Sequence, residues 1–508
     1  MVKNQPLARS TPIAEKVSAK AISEMLQEAE ETNVTLNSLM IIRHGKVVAE
    51  GYYAPYSDCI ERSLHSATKS FAATAIGLLI DEGRLSLEDK VLSFFPEDAP
   101  DCPSSNLKQM NLWHLLTMTC GHDSVPARKG TDNYVKRFLE HPVPYAPGTH
   151  FQYNSMASYM LTAIVRKVSG LNMTRYLRPR IFEPLGIYDV YCDTCPMGIE
   201  YGGGGMFART EDLAKLALLY LNKGIWNGKR LLSEKWVEQF TKTQFRDSWS
   251  HSNPTLKPDW YCGYGFQNWR CTQKNAYRFD GSFGQLAVVL EDYDAVLVTT
   301  ASEARPERIL ALFWKYMIPA FDRETTEEEW DELQMRLKKL KLPWPEAMPV
   351  SEKAWKISGK DIVMDDNRES FVTTKRQSLA FADAGIEAGR TGIGKIRLVF
   401  DDESKCRLQY TEDQREHELF LGLKDKMEEG ILKSVWGDYP VLSTGRWLDP
   451  DRFEARILTI TADYCTILTF DFSGEGVTLQ FGETPYDPVK QLPRTRSYYG
   501  RFLTPETA

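Results

Sequence analysis

The chain has 508 residues, 42% of them hydrophobic and 26% charged, with a formal net charge of −7. That length predicts two domains rather than one, and the composition is that of a soluble globular protein. The acidic balance gives no reason to expect a nucleic-acid partner, and no apolar run reaches the ~18 residues that would suggest a membrane span.

Nine scattered cysteines, an odd number, suit a reducing compartment. Cys192 and Cys195 have a metal-ligand spacing, but no second Cys or His pair lies nearby, so they read as loop thiols. No metal and no cofactor is expected. The start, Met1-Val2-Lys3-Asn4-Gln5-Pro6, lacks the apolar stretch of a signal peptide. With Met1 as the native start, the expected location is the cytoplasm.

In chain order, Ser38 to Ile42 and Lys46 to Ala49 read as two strands around a His44-Gly45 turn. His65-Ser66-Ala67-Thr68-Lys69-Ser70 then leads into an apolar run, Phe71 to Ile80, that predicts a buried helix ending near Gly83. Serine and lysine three apart on a first helical turn share a face, so the amine can take the hydroxyl proton and activate the serine. A second copy, Ser105-Asn106-Leu107-Lys108, follows Pro103 in a polar stretch with no apolar helix, and reads as coincidence in a loop. Tyr220-Leu221-Asn222 ends a leucine-rich helix before Gly224, so Tyr220 reads as a packed helical residue.

Further on, Leu286 to Leu290 and Ala295 to Thr299 read as paired strands, and Arg305 to Met317 as a helix. Glu324 to Lys341 reads as a charged helix, broken by Leu342-Pro343-Trp344-Pro345. From about Trp355 the pattern changes to short alternating strands, such as Lys395 to Phe400, Ala455 to Thr461, Cys465 to Phe470 and Gly476 to Phe481. The expected organisation is a catalytic domain over 1–322, a charged helical linker over 323–351 and an all-β barrel or sandwich over 352–508.

Between Leu36 and Met317 the landmarks resemble the serine β-lactamase and penicillin-recognising superfamily, in its class C-like branch of esterases and 6-aminohexanoate-dimer hydrolases. They include Ser66 to Lys69, Leu115-Leu116-Thr117-Met118-Thr119-Cys120-Gly121, Pro147-Gly148-Thr149, Glu183-Pro184-Leu185-Gly186 and Gly202 to Gly205, in the family's order. Tyr153-Asn154-Ser155 stands where the family has Tyr-x-Asn, with a hydroxyl replacing the amide. Phe279-Asp280-Gly281 aligns with the family's Lys-Thr-Gly strand, and the Arg390-Thr391-Gly392 rival lies in the β-rich region as a turn. The resemblance implies an α/β (α+β) fold: an antiparallel sheet flanked by helices, plus an all-helical part.

The resemblance also implies acyl transfer, with Ser66 as nucleophile and Lys69 with Tyr153 as proton relay. Burial and the helix start would depress the lysine pKa. The backbone amides of Ser66 and Ser282 would form the oxyanion hole. Alternation along a strand turns Phe279 and Gly281 toward the cleft, where Phe279 replaces the family's cation. Ser155 and Asn154 are candidates to orient the substrate or the Lys69 amine, with Asn154 equally suited to capping a loop.

Trp249, Trp260, Tyr261, Tyr264 and Trp269 read either as an apolar acyl pocket or as a packed aromatic loop. The expected activity is hydrolysis of small esters or amides. Its rivals are a β-lactamase or DD-peptidase, and an inactive scaffold on the same fold. The expected partner is a small-molecule ester or amide, and self-association into a homo-oligomer stays open.

Overall fold

The computed structural model describes residues 4–126, 133–246, 248, 258–343, 348–365, 392–412, 414–424, 426–434, 437–484 and 496–503. Trp249, Trp344, Pro345, Arg390 and Thr391 lie outside the described residues. The chain divides into two compact units, with the break between Leu342 and Pro343.

The first unit is built on six antiparallel strands: β1 (Leu36–Arg43), β2 (Lys46–Tyr52), β3 (Trp269–Arg270), β4 (Ala276–Gly281), β5 (Gln285–Leu290) and β6 (Ala295–Ala301). Their order is β2-β1-β6-β5-β4-β3. The hairpin of β1 and β2 turns on His44 and Gly45, both at positive φ (48° and 74°), as a tight two-residue turn requires. The next pairing is long-range: β1 lies against β6, with Leu36 opposite Ala301. This closes the sheet with residues from both ends of the domain.

The main helices of this unit are α1 (Ala19–Glu31), α2 (Thr68–Asp81), α3 (Ser155–Ser169), α4 (Thr210–Leu221), α5 (Glu234–Thr241), α6 (Glu307–Leu312) and α7 (Glu327–Lys338). Every residue of α2 from Thr68 to Leu79 is buried, which accounts for its lack of a polar face. The helix expected over Arg305 to Met317 is α6 followed by a π-helical turn, Phe313–Met317. Ser105 opens a five-residue helix rather than a loop, and both Ser105 and Lys108 are exposed.

Helix α7 falls inside the stretch expected as a linker. It packs on α1 and β2, and Leu337 and Leu340 lie over Gly51, where a Cβ would sit 2.5 Å from Leu340 Cδ1. Among the described residues no helix is long and apolar enough to cross a membrane.

The second unit carries β7 (Asp361–Met364), β8 (Ile393–Asp402), β9 (Lys405–Glu412), β10 (Arg415–Gly422), β11 (Glu428–Ser434), β12 (Gly437–Trp447), β13 (Arg452–Thr459), β14 (Cys465–Asp471), β15 (Val477–Thr484) and β16 (Arg496–Phe502). Their order is β10-β9-β8-β7-β16-β15-β14-β13-β12-β11. A parallel pairing of Gly422 with Thr444 joins β10 to β12 and closes a nine-strand barrel among the described residues. Burial alternates residue by residue along β9, so one side of each strand fills the interior with groups such as Phe400, Trp447, Phe453 and Phe470.

Candidate active site

The chain reaches Ser66 through a tight turn. His65 holds a left-handed backbone (φ 46°), and Ser66 sits in the single 3₁₀ turn, His65–Ala67, that leads into α2. Across the gap, Phe283 is also left-handed (φ 64°), and its ring meets His65 edge-on at 5.5 Å. Non-glycine residues at positive φ cost energy and persist where surrounding structure holds them.

Gly281 ends β4 beside this turn. A Cβ there would lie 2.2 Å from the carbonyl oxygen of Leu64, so only glycine lets the strand end approach the segment before Ser66. Gln285 steadies the connection, its Nε2 donating to the carbonyls of Ser282 (3.1 Å) and Ala301 (2.8 Å).

Lys69, one turn into the helical segment, is 1% exposed. Its Nζ lies 2.9 Å from Ser66 Oγ and 3.1 Å from Ser155 Oγ, and it also donates to the carbonyl of Gly203. The Tyr153 ring is 5.0 Å from the same Nζ, and Tyr153 is hydrogen-bonded to the Ser66 side chain. Burial pushes the Tyr153 phenol above its usual range; the bond to Ser66 opposes this, and the Asp280 charge adds to it. Ser66, Lys69, Tyr153 and Ser155 thus form one cluster. Ser155 is brought in as the first residue of α3.

Two expected substrate contacts fall elsewhere. Asn154 is 1% exposed and caps α3: its Oδ1 accepts from the amides of Met156 (2.9 Å) and Ala157 (3.3 Å), and its Nδ2 lies 3.0 Å from His122 Nδ1. Both ends of the amide are used inside the protein, so the capping reading holds and the substrate-binding one does not. His122 is itself fully buried, and that burial brings its pKa down to about 3.

Phe279 does not face the cleft either. It is 0% exposed and packs edge-on against Tyr220 (5.8 Å) on α4 and Phe240 (5.9 Å) on α5. Tyr220 sits as expected in the helical interior, its hydroxyl bonded to Thr74 and Trp236. Apart from Gly281, whose own approach is to the Leu64 carbonyl, the β4 residues bordering the site are those on the opposite face of the pleat, Arg278 and Asp280. Trp269 on β3 pairs directly with Arg278 and stacks on Tyr153 at 5.4 Å. The alignment of Phe279 with a cleft-facing cation is therefore one residue out of phase.

Of the aromatic run, Tyr264 and Trp269 are buried around Tyr153 and Phe151, and Trp260 lies under Arg278. Tyr261 is 37% exposed. Trp260, Tyr264 and Trp269 form a packed wall behind the tyrosine, the second of the two readings the sequence left open. Arg278 and Asp280 carry no motif of their own; only the register of β3 against β4 brings them to the site.

A family profile described as Beta-lactamase matches residues 37–314, more than half of the chain. The chain belongs to the β-lactamase family. It is an enzyme of the serine-hydrolase type. It is 25% identical over 309 residues to the 6-aminohexanoate-dimer hydrolase of Paenarthrobacter ureafaciens, covering 57% of this chain and 78% of that one. It is 26% identical over 177 residues to Esterase EstB of Burkholderia gladioli, covering 30% of this chain and 45% of that protein. Among solved structures, a Bacillus anthracis protein provisionally described as a 6-aminohexanoate-dimer hydrolase shares the fold. Its TM-score is 0.50 at 21% identity, with 63% of this chain and 89% of that one covered.

Proposed function

We propose that this member of the family hydrolyses small esters or amides through an acyl-enzyme on Ser66. The observation that carries the reading is the 2.9 Å contact between Lys69 Nζ and Ser66 Oγ, with Tyr153 bonded to the same serine. Of the three oxygens around Lys69, only the Gly203 carbonyl must receive a proton from it. The two hydroxyls can donate or accept, so a neutral amine can take the Ser66 proton as Oγ attacks the carbonyl carbon.

Burial keeps the Tyr153 phenol protonated at rest. Tyr153 is therefore placed to pass a proton to the leaving group and to recover one through Lys69. Acid–base help of this kind contributes about 10²–10⁴ in rate. The backbone amides of Ser66 and Ser282 are the proposed donors to the tetrahedral oxyanion, and the close approach at Gly281 supports that pairing. Water then releases the acyl group by the reverse sequence.

Penicillin recognition is the weaker reading. It needs a cation for the substrate carboxylate, whereas Phe279 is buried and Arg278 is already paired with Asp280. A panel of p-nitrophenyl esters, short amides and nitrocefin, run on wild type and Ser66→Ala, tests the proposal. Ester turnover that vanishes in Ser66→Ala supports it. Nitrocefin turnover exceeding ester turnover replaces it with the β-lactamase reading, and no turnover of any substrate leaves only the scaffold reading.

A further inference from the structure

The Arg278–Asp280 pair plays no part in the hydrolytic steps, yet it borders the site. Register fixes which way it faces: Trp269 opposes Arg278, and Asp280 follows on the same side of β4. Trp269 stacks on Tyr153, so this face leads to the reacting groups. The charge of Asp280 is near enough to act on both Tyr153 and Lys69.

The two charges are not equally available. Arg278 is 0% exposed. Its Nε donates to Asp280 Oδ2 at 2.7 Å, and its Nη1 to the carbonyls of Asp259 (3.0 Å) and Arg270 (2.9 Å). Its plane lies 4.5 Å over the Trp260 ring. Its Nη2 is buried without a hydrogen-bond partner, but with the residue 0% exposed a ligand anion reaches that nitrogen only if the surrounding wall opens. Asp280 has one oxygen engaged by Arg278. Its other oxygen, Oδ1, has no hydrogen-bond partner among the described residues, and the side chain keeps 9% of its surface open.

We propose that Asp280 selects the substrate: its free oxygen accepts an N–H from a cationic amine carried by the ester or amide, and its charge turns carboxylate-bearing substrates away. The proposal rests on the Ser66 hydrolase reading and narrows it to amino-substituted acyl compounds. A bound ammonium completes the hydrogen bonding of a carboxylate that substrate would otherwise cut off from water. A bound carboxylate would meet a like charge in a confined space. Arg278 then acts as a positioning residue that holds the carboxylate in one rotamer, its charge opposing the upward push that burial gives the Asp280 pKa.

The test uses three p-nitrophenyl esters with acyl chains of equal length ending in an ammonium, a methyl or a carboxylate group. In the wild-type chain kcat/KM should fall in that order, with the ammonium ester roughly 10–100-fold above the carboxylate ester, the range of one hydrogen bond to a charged group. Asp280→Asn should bring the ammonium-to-carboxylate ratio toward one. The ratio is internal to each variant, so a general loss of rate does not mimic the effect. Because Asp280→Asn leaves a buried guanidinium without its counter-ion, Arg278→Gln/Asp280→Asn serves as a second variant with neither charge. The wild-type order decides even if neither variant folds.

A wild-type enzyme with no charge preference or with a preference for the carboxylate ester overturns the proposal. So does a preference that persists in a folded Asp280→Asn. Failure of the hydrolase reading looks different: none of the three esters is turned over, or turnover survives Ser66→Ala.

Discussion

Gly281→Ala isolates the geometry that joins the two halves of the site. The backbone at Gly281 is extended (φ −116°), so alanine meets no conformational penalty there. Its methyl group would, however, sit 2.2 Å from the Leu64 carbonyl oxygen. Restoring an ordinary contact means moving the strand end or the Ser66 turn by about 1 Å, and a misplacement of that size costs ~10²-fold in rate. If the shift also displaces the Ser282 amide proposed as an oxyanion donor, the loss reaches about 10²–10³ in kcat, or ~2.7–4 kcal/mol.

Overpacking of this kind lowers stability by only about 1–3 kcal/mol, so the variant should fold and bind while turning over slowly. Stopped-flow p-nitrophenol release gives kcat and KM, and urea unfolding gives the stability. Gly45→Ala is the control: it strains a positive φ (74°), but its methyl group meets nothing within 4 Å. It should lose stability and keep its rate. A Gly281→Ala enzyme with wild-type kcat, or one whose lost activity is matched by its unfolded fraction, refutes the reasoning.

Lys69→Ala and Tyr153→Phe should each lower kcat by ~10²–10⁴, and the double variant should lose little beyond the worse single one, because both bond to the same serine. Fully additive losses in steady-state kinetics would show that they act separately. Burial raises the Asp212 pKa to about 7, and the side chain is 1% exposed. The folded state then holds its proton more tightly than the unfolded state, so stability should fall as pH rises from about 4 to about 7, by up to roughly 4 kcal/mol. Asp212→Asn keeps an oxygen for the Arg209 amide and should flatten that part of the urea-midpoint profile; an unchanged slope would assign it to other groups. Limited proteolysis should cut beyond Leu342 and spare α7, which packs on α1 and β2. Early cleavage between Asp322 and Lys338 would show that α7 is a linker after all.

Local features were the most legible in the sequence. Ser66 and Lys69 stand out because three-residue spacing before an apolar helix has a direct geometric meaning. The His44-Gly45 hairpin follows from turn chemistry, and the alternating C-terminal strands from their period of two. Tyr153 came only through the family resemblance, since nothing local distinguishes it from other buried tyrosines.

What could not be read depends on contacts distant in the chain. The pairing of β1 with β6 joins residues hundreds of positions apart. Closure of the barrel turns on one parallel pair, Gly422 with Thr444. The facing of Phe279 was missed for the same reason: an aligned triplet gives a position along a strand, whereas Tyr220 and Phe240 decide which side of the pleat is interior. Asn154 shows a smaller version of this limit. Its capping role needs the first turn of α3 and His122 in place before it can be seen.

The central claim is that Ser66 becomes acylated. Intact-protein mass spectrometry after treatment with a fluorophosphonate probe, followed by peptide mapping, measures it directly. One adduct per chain on the peptide containing Ser66, absent in Ser66→Ala and slowed in Lys69→Ala, is the predicted result. An adduct on Ser155, Ser282 or any other residue, or labelling that persists undiminished in Ser66→Ala, would contradict it.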